Sequence, residues 1–207
     1  MPSTGKRFAA AVIALAAWAG LGVQLHATHA LLGALPEALW AMARYFTVIS
    51  NLLAALVFSG LALGRPAWAS PRLLGGITAV MLLVGTVYHL LLQGLRDLSG
   101  GASLADDLMH SATPVLVAVY WLLLAPKGGL TGRDPWRWGA LPAAYFAYAL
   151  ARGALDGIYP YPFLDVARHG WPRTLAAGLV MGMFFVIIGQ ALAWLDKALA
   201  RLQARPA

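Results

Sequence analysis

Residues 45–63 read YFTVISNLLAALVFSGLAL, nineteen positions without a formal charge. A membrane's hydrocarbon core, about 30 Å thick, takes about 20 largely apolar residues of α-helix. The run therefore reads as most of a transmembrane span. Its first turns are unusual: Thr47, Ser50 and Asn51 fall at i, i+3 and i+4 and share one helix face. A polar stripe inside a membrane has to meet something, whether packing partners, a ligand or a substrate.

Six segments have this apolar character: Phe8–Leu25, Ala41–Leu63, Arg72–Gln93, Ser103–Ala125, Trp138–Leu155 and Thr174–Leu195. Polar or Gly- and Pro-rich stretches separate them, among them GRPAWASP, RDLSGGAS, PKGGLTGRDP and DGIYPYPFLDVARHGWPR. The 207 residues are 60% hydrophobic and only 11% charged, against roughly 25% charged in soluble domains. The expected architecture is all-α: a polytopic membrane protein, one domain of six transmembrane helices. The first segment follows Lys6 and Arg7 as a signal peptide's would, but it is long for one and no clear A-x-A cleavage site follows. It is expected to remain as a span.

Basic residues set the direction. With the N-terminus cytoplasmic, ten of the fifteen lie inside: Lys6, Arg7, Arg65, Arg72, Lys127, Arg133, Arg137, Lys197, Arg201 and Arg205. Arg44, Arg96, Arg152, Arg168 and Arg173 fall outside, with Glu37, Asp97, Asp106, Asp107, Asp156 and Asp165. The positive-inside rule then places both termini in the cytoplasm. Attraction to an anionic inner leaflet accounts for the net charge of +7, and no nucleic-acid partner is implied.

The chain has no cysteine, which excludes disulfides, thiolate catalysis and cysteine-held metals. It has no P-loop, HExxH, GxSxG or dinucleotide fingerprint; neither a cofactor nor a metal is expected.

In this orientation the polar residues of several spans meet at one level. Thr47 lies about 9 Å below the outer end of span two, His89 about 6 Å below that of span three, and His110 about 10 Å below that of span four. Arg152 and Asp156 close span five at the same side, while the inner halves carry almost no such groups. Ionisable residues inside a membrane are costly and mark function, although Thr, Ser, Asn and His also serve as hydrogen-bonding glue between helices. Glue is the favoured reading of Ser50 and Asn51. His89 is either an interfacial partner of Tyr88 or Arg96, or a site residue.

His110 is the strongest candidate. Asp106 and Asp107 precede it by four and three residues, so either could orient its ring. Pro114 lies four residues on and lacks the N–H that the His110 carbonyl would normally receive, so a kink is expected there. The segment YPYPF, residues 159–163, reads as an aromatic interfacial anchor or as a lid over an outer-leaflet cavity, with Tyr159 at its head. His26, His29 and His169 read as solvated.

A hydroxyl and an imidazole at matching depth suggest Thr47 as nucleophile and His110 as base. An oxyanion would draw on Asn51, Ser50, Arg152 or backbone amides. Two other readings remain open: a b-type haem held by His89 and His110, and a lipid-binding or transport protein. The inner half lacks polar groups to line a continuous path, which counts against transport.

The set YFTVISN, VYH at Val87–His89, HSATP at His110–Pro114, YALARG ending at Gly153, and YPYPFLD resembles a bacterial family of six-span proteins, itself similar to the androgen-induced-gene family of eukaryotic membrane proteins. The similarity covers nearly the whole chain. It implies an intramembrane threonine hydrolase acting on fatty acid esters of hydroxy fatty acids or related lipid esters. Matched motif by motif, it assigns the nucleophile to Thr47 and the base to His110. The eukaryotic motif has an Asn three residues after its threonine, where this chain has Ser50 and then Asn51. Ser50, Asn51, His89, Asp106, Asp107, Arg152, Asp156 and Tyr159 are the expected supporting residues. Membrane lipids are the expected partners, and a bacterial inner (cytoplasmic) membrane, with the site near its outer leaflet, is the expected location.

Overall fold

The computed structural model describes residues 3–95 and 97–204; Arg96 and Arg205 lie outside the described residues. Among those residues every regular element is helical. The helices are α1 (Thr4–Leu32), α2 (Leu35–Met42), α3 (Phe46–Ala62), α4 (Pro71–Leu92), α5 (Gly101–Leu124), α6 (Asp134–Trp138), α7 (Ala140–Asp156) and α8 (Val166–Gln203). Four of them, α1, α4, α5 and α8, are long and apolar enough to cross a membrane, and α2 with α3 makes five if the bent pair is one span. A bundle of this kind marks an integral membrane protein. The sixth expected segment, α7, has 17 residues, about 25 Å at 1.5 Å per residue, shorter than the four long helices.

The centre of the bundle is α4, with 61% of its apolar window buried against 17% to 33% for the other three long helices. Its neighbours approach through small residues. Ala10, Ala14 and Ala17 of α1 are buried along the face that packs on α3. Gly20 of α1 lies so close to α5 that an added Cβ would sit 2.9 Å from Met109 Cγ, and at Gly85 of α4 it would sit 3.3 Å from the His110 carbonyl oxygen. Small residues let helix backbones close up where packing between lipid-facing helices must supply the attraction. These two glycines grip α5 at the level of His110.

The expected second span, Ala41–Leu63, is not one continuous helix. It breaks at Ala43–Tyr45, and α2 meets α3 at 96°. The cause lies in α7, whose face presents Tyr145, Tyr148 and Arg152. These side chains donate to the carbonyls that the break frees: Tyr145 to Arg44 at 2.8 Å, Tyr148 to Ala43 at 3.1 Å, and Arg152 to Trp40. Asp156 bonds Arg44 at 2.8 Å and Arg152 at 3.3 Å. A corner that would otherwise strand backbone polar groups in an apolar setting is thereby satisfied. Opposite this region α8 is kinked at Gly170, whose φ of 73° and ψ of 161° belong to a region that essentially only glycine adopts.

The end of the bundle that carries the α5–α6 loop also holds buried charge. Asp134 and Asp196 are almost wholly buried. Asp196 accepts the Gly128 and Leu130 amides, each at 2.9 Å. Asp134 accepts the Thr131 amide at 2.7 Å and its hydroxyl at 2.9 Å.

Candidate functional site

Two π-helical turns face each other on α4 and α5. The first spans Tyr88–Leu92 and the second Leu108–Ala112. Such turns add a residue to the helix, re-aim side chains, and recur at functional sites. In α5 the Thr113 amide reaches back five residues to the Leu108 carbonyl. The next amide in that register would be residue 114, a proline without an N–H. The π turn and the proline together free the Met109 carbonyl, beside the His110 carbonyl that the proline was expected to free. Asn51 fills the gap, its amide nitrogen donating to the Met109 carbonyl at 3.2 Å and to the Thr47 carbonyl at 2.9 Å. One fully buried side chain therefore fixes Thr47 of α3 against the turn that carries His110.

The Thr47 hydroxyl lies 3.2 Å from His110 Nε2. On the ring's other side, Nδ1 is 3.1 Å from the Asp106 carbonyl oxygen and 3.0 Å from Asp106 Oδ1. With its proton on Nδ1, directed at Asp106, the ring presents the Nε2 lone pair to the threonine O–H. The order hydroxyl, imidazole, carboxylate reproduces the logic of a catalytic triad. Tyr88 completes the setting: its ring stacks on His110 with centroids 4.0 Å apart, and its hydroxyl donates to the second oxygen of Asp106.

Thr47 borders two cavities, and His110 borders one of them. One, of about 720 Å³, is almost wholly apolar and lies between α4, α7 and α8, with Leu83, Val84, Phe146, Met183 and Ile187 in its walls. The other, of about 730 Å³, lies between α1, the C-terminal end of α4, the N-terminal end of α5, and the YPYPF loop. Its lining is more polar and includes Gln24, Thr28, Tyr159, Asp106, His110 and Arg168. Thr47 and Tyr161 line both. Leu179, Met183 and Ile187 of α8 wall the apolar cavity and are exposed, so this cavity is open rather than sealed.

No family model, curated protein or solved structure matches this chain. Its function is argued from this geometry and from the motifs.

The expected site residues are distributed as follows. Thr47, His110, Asp106 and Asn51 come together at one place. Ser50 is fully buried beside them, its hydroxyl without a partner among the described residues, and it lines neither cavity. Tyr159 lines the polar cavity, its ring packed on Gly153 so closely that an added Cβ would sit 2.3 Å from it. Asp107, one residue from Asp106, faces outward and is exposed. Arg152 and Asp156 are committed to the α2–α3 corner and line neither cavity. The Arg44 guanidinium hydrogen-bonded to Asp156 holds that carboxyl below the usual carboxylate range, against a smaller opposing effect of burial.

His89 points away from the pair, bonding Ser111 Oγ and Gln93 Oε1, each at 3.2 Å. Tyr88 packs edge-on to His89 and flat on His110, and His110 Nε2 is engaged by Thr47. This arrangement does not fit a haem held between the two histidines, which needs both imidazoles turned toward one iron.

Sequence reasoning missed Tyr88 and Tyr161. Tyr88 had been considered only as a neighbour of His89, and Tyr161 was one ring of an apparent interfacial anchor. The Tyr161 hydroxyl accepts the Phe46 amide at 3.1 Å across 115 residues of chain, a contact with no local sequence signature.

Proposed function

We propose that this protein is an intramembrane lipid ester hydrolase with Thr47 as nucleophile and His110 as general base, oriented by Asp106. The observation that carries the reading is the 3.2 Å contact between the Thr47 hydroxyl and His110 Nε2, at a threonine that lines both an apolar and a more polar cavity. A lipid ester has this shape: an acyl chain on one side of the carbonyl and a more polar alcohol portion on the other. The acyl chain enters the open apolar cavity, and the alcohol portion occupies the vestibule lined by Gln24, Thr28 and Arg168. Fatty acid esters of hydroxy fatty acids, implied by the motif resemblance, and related lipid esters are the substrate class.

In the first half-reaction the Thr47 oxygen bonds to the ester carbonyl carbon as His110 Nε2 takes its proton. The carbonyl electron pair moves onto oxygen. Collapse of this intermediate breaks the bond to the alcohol oxygen, which leaves with the proton from His110. Water, deprotonated by the same imidazole, then attacks the threonyl ester and releases the fatty acid. Asp106 keeps the ring in the required tautomer and stabilises the imidazolium between steps.

The proposed topology has six spans, counting α7 and the α2–α3 pair, with both termini cytoplasmic. Ten of fifteen basic residues on that side support it,. The site then lies near the outer leaflet, in a bacterial inner membrane.

Purified protein incubated with fatty acid esters of hydroxy fatty acids and simpler lipid esters should release free acid. Thr47→Ala and His110→Ala should lower kcat by at least roughly 10³-fold, and Ser50→Ala by less than about tenfold. A wild type inert across the panel, or activity that survives loss of Thr47, would overturn the reading.

A further inference from the structure

The tetrahedral intermediate of ester cleavage carries a negative oxygen, and a site that makes one must offer it a hydrogen-bond donor. Of the donors expected from the sequence, two are committed elsewhere, and the third, the Ser50 hydroxyl, has no partner among the described residues but lines neither cavity. Both hydrogens of the Asn51 amide nitrogen have acceptors, the Thr47 and Met109 carbonyls. Arg152 is held at the α2–α3 corner by Tyr148, Trp40 and Asp156. The first turn of α3 would ordinarily present free amides, but Val48 and Ile49 both donate to the Tyr45 carbonyl, at 3.1 and 3.3 Å. The Phe46 amide donates to the Tyr161 hydroxyl at 3.1 Å.

That last contact changes the role of Tyr161. An amide donating to a phenol oxygen fixes the oxygen's position and leaves its O–H free to donate elsewhere. The amide that holds the oxygen belongs to the residue preceding Thr47, and Tyr161 and Thr47 are walls common to both cavities. An ester carbonyl with one arm in each cavity must pass between them. The neighbouring phenol, Tyr145, directs its own proton to the Arg44 carbonyl at 2.8 Å, so it does not compete as donor. The Tyr161 ring is anchored by Phe163, stacked at 5.4 Å, and by Tyr45 and Tyr145 edge-on. Burial pushes its phenol up from the ordinary value, so the proton stays in place at neutral pH.

We propose that Tyr161 is a catalytic residue, its hydroxyl held by the Phe46 amide beside Thr47 and donating a hydrogen bond to the carbonyl oxygen of the ester as Thr47 attacks. This rests on the threonine-hydrolase reading. When the bond from the Thr47 oxygen to the carbonyl carbon forms, the displaced electron pair resides on an oxygen facing Tyr161. When that pair returns, the bond to the leaving alcohol breaks and the phenol keeps its proton throughout. The YPYPF loop thus contributes to the chemistry as well as walling the vestibule.

The test is Tyr161→Phe in the full-length protein, with kcat and KM measured on the ester that the wild type cleaves best. Loss of one such donor should lower kcat by roughly 10²- to 10³-fold with KM changed by less than about threefold. Affinity for a trifluoromethyl ketone analogue, which forms an oxyanion on Thr47, should fall with kcat, while affinity for the free fatty acid product is retained. If Tyr161→Phe also lowers Tm, replacement of Tyr161 by a difluorotyrosine decides the matter. Its more acidic phenol should pull the alkaline limb of the pH–rate profile downward, and an unmoved limb would overturn the proposal. An active wild type whose kcat and analogue affinity are indifferent to Tyr161→Phe overturns the role of Tyr161 alone. A wild type inert toward all lipid esters overturns the hydrolase reading and this role with it.

Discussion

Asp106 at the His110 end of the bundle and Asp134 and Asp196 at the opposite end are all at least partly buried, yet their partners differ in kind. Asp196 is met by the backbone amides of Gly128 and Leu130. Asp134 is met by the Thr131 amide and hydroxyl, with Arg72 and Arg137 at 3.4 and 3.5 Å. Neither lines a cavity. They pin the α5–α6 loop across the end of α8, much as a cap closes a helix. Asp106 instead touches an imidazole and a phenol and borders a cavity of about 730 Å³. Burial of a carboxylate is therefore no guide to function by itself. Partners that can exchange a proton, together with open space beside them, distinguish the two ends.

Substitutions at the two ends should separate activity from stability. The largest effect is expected for Asp106→Asn, which leaves the shape intact but favours the wrong His110 tautomer; kcat should fall roughly 10³- to 10⁴-fold with Tm little changed. Equal losses in Asp106→Asn and Asp196→Asn would erase the distinction. At the opposite end, Asp196→Ala strands the Gly128 and Leu130 amides. It should destabilise the fold by about 1–3 kcal/mol for the buried Leu130 amide left unpaired,, read as a lower Tm in detergent, with kcat of the folded protein unchanged.

A smaller effect is expected on acidification. Burial opposes ionisation of Asp134, but the Thr131 amide and hydroxyl and the two arginines outweigh it and hold the carboxyl below its usual range. A depressed folded-state value contributes stability that is present above the unfolded carboxylate value, about 3.9, and lost as pH falls through the folded one. Unfolding should therefore grow easier below about pH 4, with less pH dependence in Asp134→Asn. The smallest effect belongs to Asp107→Asn. Its outward-facing side chain should leave kcat within about twofold, which kinetics beside Asp106→Asn would check.

Much of this protein follows from its sequence. Long apolar segments with few charges leave α-helices as the structure that satisfies every backbone group in lipid. The helical repeat places Thr47, Ser50 and Asn51 on one face and Asp106 four residues from His110. The basic residues supply the argument for orientation. Thr47 and His110 could be paired from depth and motif, because rise per residue is fixed once a helix is assigned.

Contacts between distant segments were decided only by the tertiary structure. Arg44 looked like a charge near the end of a span, but Arg152, Tyr145 and Tyr148 of α7 receive the broken corner that carries it. Asp106 and Asp107 were equivalent by spacing, and the π turn aims one at His110 and leaves the other outside. Asn51 reaches Met109 because Pro114 has no N–H to offer, and Tyr161 reaches Phe46 from a loop over a hundred residues away. Helical periodicity fixes which residues share a face. Which faces meet, and where space remains between them, depends on how all the helices pack together.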